Sequence, residues 1–198
     1  MKQVKIIDVR AYVLEQPGSG GDYHDREQGH WLVDTLIATP MSAYPEYKQS
    51  RTSFGINEMK SIVVEIEASD GTVGVSAGQG GAPACYIIEQ HFRRFIVGQD
   101  PRNLNRIWDQ MFKASRYYGG KGLPLWAISA VDLALWDLLG TLRQEPVYKM
   151  IGGAVREEIE LYCTGIRPDV AKETGFIGGK MPIPHSPADR SEGLNANV

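Results

Sequence analysis

Two polar residues in the N-terminal third, His24 and Arg51, have side chains suited to an acidic or hydroxylated small molecule. His24, His30 and Arg51 lie between residues 17 and 60, a stretch without a helical or strand period. The planar guanidinium of arginine matches a carboxylate or the edge of a polyol, and a histidine can donate to or accept from a hydroxyl. Trp31 and several tyrosines lie in the same stretch, whereas disordered linkers are poor in aromatic residues. The stretch therefore predicts ordered or closing loops that carry binding groups.

Composition narrows the classes of protein that remain. The 198 residues carry a net charge of −3, without the clustered basic excess of a nucleic-acid-binding protein. Cys85 and Cys163 are too few for a disulfide framework and are not spaced as a metal knuckle. No run of apolar residues approaches 18, and the N-terminus lacks the apolar stretch of a secretory signal. We therefore expect a cytoplasmic protein without a nucleic-acid or membrane partner.

Three β-rich segments predict a small antiparallel sheet. Residues 4–14, 61–68 and 72–77 are rich in β-branched residues, and the second alternates clearly between apolar and polar positions. Residues 69–71, with the sequence Ser-Asp-Gly, predict a hairpin turn between the last two strands. A three-stranded sheet is too small to stand alone, so helices must cover its apolar face.

The helices that follow supply this cover. Apolar spacing predicts a helix over residues 83–97, and Asp100 and Pro101 are placed to begin a second one as N-cap and first helical residue. Residues 124–142 predict a third helix, apolar nearly all round and therefore buried on most sides. Residues 146–151 predict a short fourth helix.

The C-terminal part changes to a β-α-β pattern. Strands are predicted over 159–164 and 176–181 with a helical crossover over 168–174, so the two strands should be parallel. Parallel strands need cover on both faces, and the proline-containing tail after Met181 is too short to give it. We expect the sequence to stop inside a domain and the native protein to be about twice as long, since a complete barrel takes about 250 residues.

This order of elements resembles the enolase superfamily, in its mandelate racemase and muconate-lactonizing branch. Residues 129–153, SAVDLALWDLLGTLRQEPVYKMIGG, are similar to the helix of that branch that leads into the barrel, with Asp132, Trp136 and Asp137 as packing and capping residues. The resemblance implies an α+β capping domain over 1–155, made of a three-stranded antiparallel sheet and a helical bundle, with substrate loops at about 17–60. Residues 156–198 would begin a TIM-type (β/α) barrel that is incomplete in this chain.

Three loop stretches narrow the expected chemistry. GGDYHD (20–25), IATPMSAYPEYKQSRTSFGIN (37–57) and TGIRPDVAKETGFIGGKMP (164–182) resemble dehydratases of six-carbon deoxy sugar acids, with L-rhamnonate as the expected substrate. The resemblance implies Mg²⁺-dependent removal of the proton beside the carboxylate, loss of water to a 2-keto-3-deoxy acid, and a homo-oligomer. The metal ligands and the catalytic base of such enzymes lie on later barrel strands, so no catalytic residue and no metal ligand is assigned in this segment.

The resemblance does assign three substrate-binding candidates. His24 and Arg51 match substrate-contacting residues, although a solvent-facing histidine and a surface-paired arginine are the alternatives. Lys180 would lie at the C-terminal end of the second barrel strand, where barrel active sites form; it either orients the substrate or metal shell or is a lysine extended into solvent. Relatives often have Lys-x-Lys here, whereas this chain has Pro182 in the second position, which favours a single-base dehydratase. His91 and His185 are predicted to be surface residues.

Two other functions stay open. One is dehydration of a different sugar acid, because epimers differ by single hydroxyls. The other is a non-catalytic fragment or capping domain that only binds or oligomerises. A nucleotide-binding protein is disfavoured because the glycines at 18–21 and 178–179 lack the spacing and the following Ser/Thr of a phosphate loop.

Overall fold

The computed structural model of the chain describes residues 4–14, 38–47, 59–164, 168–181, 183, 185 and 189–197. These residues fall into two compact units. The first unit contains the described residues up to 14 together with 59–155. The second contains 38–47 together with the described residues from 156 onward.

The first unit is built on the predicted antiparallel sheet. Its strands β1 (Ile6–Val13), β2 (Ser61–Ala68) and β3 (Val73–Gln79) pair in the order β1-β2-β3. Gly71 has φ = 87° in the turn between β2 and β3, a conformation that glycine adopts at little cost. Every second residue of β2 is buried, which confirms the predicted alternation: Ile62, Val64, Ile66 and Ala68.

A helical segment covers this inner face. The sequence predicts one helix over 83–97; the structure has α1 (Gly81–Tyr86), a π-helical turn (Ile87–Phe92) and α2 (Arg93–Ile96) in direct succession. Glu89 of the π-helical turn accepts a hydrogen bond from the backbone N–H of Ala11 in β1 at 2.9 Å. The segment is therefore fixed to the sheet by a polar bond as well as by packing.

The predicted N-cap at Asp100 is wrong. Its carboxylate accepts from the backbone N–H of Arg102, two residues on, at 2.9 Å, and its carbonyl accepts from the N–H of Asn103 at 2.9 Å. These bonds close a turn that competes with helix capping. Helix α3 (Leu104–Ser115) consequently begins after Asn103, and it buries Leu104, Ile107 and Met111.

Helix α4 (Leu123–Arg143) is the central helix of the first unit. Its length and composition alone would suffice to cross a membrane, but nine of its residues are buried in the unit's core. The prediction that it is buried on most sides holds only for the side facing the sheet, since Trp126 and Leu133 are 41% and 55% exposed. A short helix α5 (Val147–Met150) follows, close to the predicted bounds.

Small residues bring α4 close to β3. A Cβ atom on Gly74 would lie 2.3 Å from the carbonyl oxygen of Ala134, and one on Gly78 would lie 2.8 Å from the Cβ of Ala130. Ser76, between the two glycines, donates from its hydroxyl to the carbonyl of Ala130 at 2.6 Å. The inward face of β3 therefore leaves room for the α4 backbone itself.

The second unit contains the predicted β-α-β arrangement in shortened form. Strands β4 (Cys163–Thr164) and β5 (Gly179–Lys180) are parallel, as predicted, and α6 (Pro168–Glu173) connects them. The regular strands are shorter than the predicted 159–164 and 176–181. The apolar side chains beside them remain exposed, because the described residues provide no further strands or helices to cover them: Ile159, Leu161 and Ile177. Helix α7 (Arg190–Asn195) is the last helix of the described residues.

Candidate functional site

Lys180 lies at the C-terminal end of a parallel strand pair, as the sequence predicts. Its Cα pairs with that of Thr164, so the last residues of β4 and β5 are neighbours at one edge. Lys180 is exposed, and among the described residues no hydrogen bond or ion pair is recorded for its ammonium group. A cation in this position is available to a carboxylate or a hydroxyl-rich ligand.

The segment 38–47 is fixed to the chain just beyond β5. The backbone N–H of Ala38 donates to the carbonyl of Ile183 at 2.9 Å, three residues after Lys180. The hydroxyl of Thr39 accepts from the N–H of Met41 at 3.2 Å, and the hydroxyl of Ser42 accepts from the N–H of Thr39 at 3.0 Å. These reciprocal bonds form a capping box. They stabilise a 3₁₀ turn (Pro40–Ala43), which a second 3₁₀ turn (Pro45–Tyr47) follows.

Sequence reasoning missed this anchored segment. It treats residues 17–60 as loops without a pattern, and this stretch indeed has no regular spacing of apolar residues. The available indication is local: a threonine N-cap, a proline at the first position and a serine three residues after the cap, in Thr39-Pro40-Met41-Ser42. Tyr44 and Tyr47 follow, and both are exposed, so the segment presents aromatic side chains to solvent.

His185 makes more contacts than the predicted solvated histidine. Its backbone N–H donates to Oδ1 of Asn197 at 3.1 Å, and its carbonyl accepts from Nδ2 of the same side chain at 3.0 Å. Its Nδ1 lies 3.8 Å from Oδ2 of Asp189, whose side chain is only 9% exposed. These contacts fix the residues after β5 to both ends of α7.

The other two predicted substrate ligands, His24 and Arg51, lie outside the described residues, as does His30. Their placement beside Lys180 stays a prediction.

The described part of the chain does not fit a magnesium site. It contains no group of three histidine, cysteine, aspartate or glutamate side chains close enough to hold a metal ion, whereas Mg²⁺ prefers carboxylates and other oxygen ligands. Lys180 cannot serve as one, because its ammonium is a donor without an acceptor. We therefore derive no metal-dependent step from these residues.

Two acids of α4 have the structural surroundings that the sequence predicts for them. Oδ2 of Asp137 accepts from the backbone N–H of Val75 in β3 at 2.8 Å. Asp132 is half-buried, and its burial raises the pKa of its carboxyl. Trp136, also half-buried, packs against the core. All three belong to the first unit and its packing.

His91 is not simply a surface residue. Its Nδ1 lies 2.7 Å from the hydroxyl oxygen of Tyr118, and its ring meets that of Phe95 edge-on at a centroid distance of 5.6 Å. Partial burial, and then the charge of Arg94, lower the pKa of His91. Helical spacing alone could not reveal this, because Tyr118 comes from the turn after α3.

The three-stranded antiparallel sheet and the helices that cover it have the architecture of the N-terminal capping domain of the enolase superfamily. The sequence model of the mandelate racemase / muconate lactonizing enzyme N-terminal domain matches residues 34–152. The chain belongs to this family, which confirms the resemblance and the fold class predicted from the sequence.

Two relatives that are more than 50% identical to this chain are both rhamnonate dehydratases. L-rhamnonate dehydratase of Saccharopolyspora erythraea is 56% identical over 195 residues, covering 98% of this chain and 49% of the relative. The crystal structure of rhamnonate dehydratase from Gibberella zeae complexed with Mg is 54% identical with a TM-score of 0.91, and the match covers 100% of this chain and 48% of that one.

A more distant structure shows another reaction on a related scaffold. The 3,6-anhydro-D-galactonate cycloisomerase from Zobellia galactanivorans is 27% identical with a TM-score of 0.63, over 89% of this chain and 42% of that one. The chain spans about half the length of the curated relatives it matches.

Proposed function

We propose that this chain is the N-terminal half of a sugar-acid dehydratase whose substrate is L-rhamnonate. The observation that carries the proposal is the 56% identity to an L-rhamnonate dehydratase across 98% of the chain. The match covers nearly the whole chain and therefore includes the loops predicted to contact substrate. Substrate choice in a scaffold of this kind resides in such loops.

The reaction is a β-elimination from a carboxylic acid. The proton on carbon 2 and the hydroxyl on carbon 3 leave as one water molecule, and the resulting enol becomes a 2-keto-3-deoxy acid. In this proposal the chain supplies binding groups and no proton acceptor. Arg51 and Lys180 hold the substrate's carboxylate or its hydroxyl edge by charge and by hydrogen bonds, and His24 bonds to a hydroxyl.

The position of Lys180 supports this role. It ends β5 at the edge where barrel enzymes build their sites, and it is exposed. The bond from Ala38 to Ile183 keeps the capping-box segment attached three residues farther along the same strand exit. Residues from the loop region and from the strand end are thereby tied into one unit.

Mg²⁺ is the proposed cofactor because the rhamnonate dehydratase from Gibberella zeae was solved with this ion. When bound, it would supply positive charge to the developing enediolate. Its ligands would come from parts of the complete polypeptide outside the described residues. A soluble, cytoplasmic homo-oligomer stays part of the same proposal.

Two alternatives remain beside L-rhamnonate. The cycloisomerase relative supports a different sugar-acid substrate or reaction on this scaffold. The lack of a metal-ligand cluster in the described residues supports a non-catalytic capping domain for the 198-residue chain by itself.

A substrate screen tests which acid is dehydrated and whether the complete polypeptide is required. The complete polypeptide and the 198-residue chain are each incubated with a library of sugar acids and Mg²⁺, and 2-keto acids are detected with semicarbazide. We expect product from L-rhamnonate with the complete polypeptide only, and none after chelation. Product only from other sugar acids selects the first alternative, and no product from any acid rejects the dehydratase.

The role of Lys180 is tested within the same assay. Lys180→Met should lower kcat/KM for L-rhamnonate on the order of ten- to a hundredfold, since a hydrogen bond to a charged group is worth roughly 1.5–3 kcal/mol. Lys172→Met is the matched control, because Lys172 is an exposed lysine on α6. Equal activity of both variants would show that Lys180 extends into solvent and does not contribute to substrate binding.

A further inference from the structure

A groove in the first unit is lined by three arginines and has an apolar floor. It lies between the beginning of α3 and the C-terminal half of α4, and its volume is about 460 Å³. Arg102, Arg106 and Arg143 are among the residues that line it. The floor consists of Leu104 and Leu139, both buried, and the half-buried side chains of Trp136 and Met150.

Only one of these arginines is neutralised by a neighbour. The Nε of Arg102 donates to Oδ1 of Asp100 at 2.9 Å and to Oδ2 at 3.0 Å. The Nη2 of Arg102 also donates to Oδ2 of Asp100. For Arg106 and Arg143 no ion pair or hydrogen bond is recorded among the described residues, and both are exposed. Two positive charges thus line one groove without a counter-charge, in a chain whose net charge is −3.

The size and chemistry of the groove restrict what fits it. Cavities of about 300–1,000 Å³ hold small molecules. The planar guanidinium group of arginine pairs with the two oxygens of a carboxylate or phosphate. An arginine or an anion held beside the Trp136 ring lies in a less polar setting than bulk water. Charge pairing is stronger in such a setting.

We infer that this groove is a binding site for a small polyanion that bears carboxylate or phosphate groups, held by Arg106 and Arg143. The ligand is anchored by two charge-assisted contacts and covers the apolar floor. The inference is independent of the proposed dehydratase activity, because it uses neither the substrate-binding candidates nor the barrel strands.

Calorimetric titration of the complete polypeptide containing this chain with citrate and with pyrophosphate, at low salt, tests this site. The variant R106Q/R143Q removes both unpaired arginines. The matched control R156Q/K172Q removes the same number of positive charges from exposed positions that do not line the groove. A third variant, R106K/R143K, keeps both charges and removes the planar forks.

We expect at least one probe to bind, with affinity reduced at least tenfold in R106Q/R143Q, reduced severalfold in R106K/R143K and changed less than twofold in the control. Preference for citrate or for pyrophosphate identifies the carboxylate or the phosphate as the favoured group. Absence of binding by both probes overturns the inference. An equal loss in the groove variant and the charge-matched control does so too, because it shows a nonspecific effect of net charge. Thermal melting of each variant, without ligand, verifies that all are folded.

Discussion

The carboxylate of Asp137 in α4 accepts a hydrogen bond from the backbone N–H of Val75 in β3 at 2.8 Å. Val75 belongs to an edge strand, whose outward N–H groups are otherwise open to pairing with another chain. The helix that packs on the sheet therefore also satisfies a donor at its edge. The contact connects the most family-like stretch of the sequence to the sheet that it covers.

Replacing Asp137 by alanine should destabilise the chain by about 1 kcal/mol, the usual net value of one hydrogen bond. Asp109→Ala is the matched control, because Asp109 also lies on a helix but pairs with Lys113 four residues on at an exposed site, which is worth about 0.3–0.5 kcal/mol. Urea unfolding measures both. Equal losses would show that the bond to β3 adds nothing to stability.

Gly74→Ala should be far more damaging than its change in size suggests. The added methyl carbon would lie 2.3 Å from the carbonyl oxygen of Ala134 and 2.4 Å from the backbone nitrogen of Leu138. Backbone atoms cannot rotate away, so α4 must shift, at a cost of about 1–3 kcal/mol or more. Gly178→Ala is the control, since nothing lies within 4 Å of its added carbon. Comparable melting temperatures for the two variants would contradict the close packing.

The lowered pKa of His91 predicts a dependence of stability on pH. Burial disfavours the charged ring in the folded state, so the unfolded chain binds more protons near pH 6. The contribution of His91 is therefore fully present above its unfolded pKa of about 6.5 and is lost as the pH falls toward the lowered pKa of the folded state.

Urea unfolding at pH 8 and pH 5.5 checks this sign. His91→Gln should lose part of the difference in unfolding free energy between the two conditions, while the exposed neighbour variant Gln90→Ala should keep it. An unchanged pH dependence in His91→Gln would show that this ring is as well solvated in the folded chain as in the unfolded one.

Arg51 and His24 should govern substrate binding and leave proton removal intact. Arg51→Lys loses the paired donors of the guanidinium, and His24→Ala loses a hydroxyl partner, so each should reduce kcat/KM roughly ten- to a hundredfold. At saturating substrate, exchange of the carbon-2 proton with deuterated solvent should remain detectable. Arg156→Lys, at an exposed position outside these loops, serves as the control. Unchanged kcat/KM in both variants would remove these loops from the site.

Much of the fold could be predicted because its determinants are local. The alternation in β2, the Ser-Asp-Gly turn and the apolar length of α4 are each read from neighbouring residues, and each was confirmed. The prediction of Asp100 as an N-cap was wrong because two local structures compete for its carboxylate. One is a helix cap, and the other is a turn closed by the hydrogen bond from the backbone N–H of Arg102. Local pattern cannot decide such a competition, since both use the same residue type in the same place.

Long-range contacts could not be predicted. The bond of Ala38 to Ile183 joins residues that are 145 positions apart by number (183 minus 38), and His91 meets Tyr118 across two helices and a turn. The lengths of β4 and β5 also depend on neighbouring strands, because residues adopt regular strand geometry only where another strand pairs with them. Lys180 lies at the end of β5, near the end of the predicted strand, and its role in substrate binding stays a prediction.

The central claim is that the complete polypeptide containing this chain dehydrates L-rhamnonate, and one NMR measurement tests it most directly. L-rhamnonate is incubated with the protein and Mg²⁺ in deuterated water, and the proton spectrum is followed over time. We expect the signal of the carbon-2 proton to disappear while that of a 2-keto-3-deoxy acid, carrying deuterium at carbon 3, grows in equal amount. If L-rhamnonate persists unchanged while the same preparation converts a different class of acid, the protein is not an L-rhamnonate dehydratase.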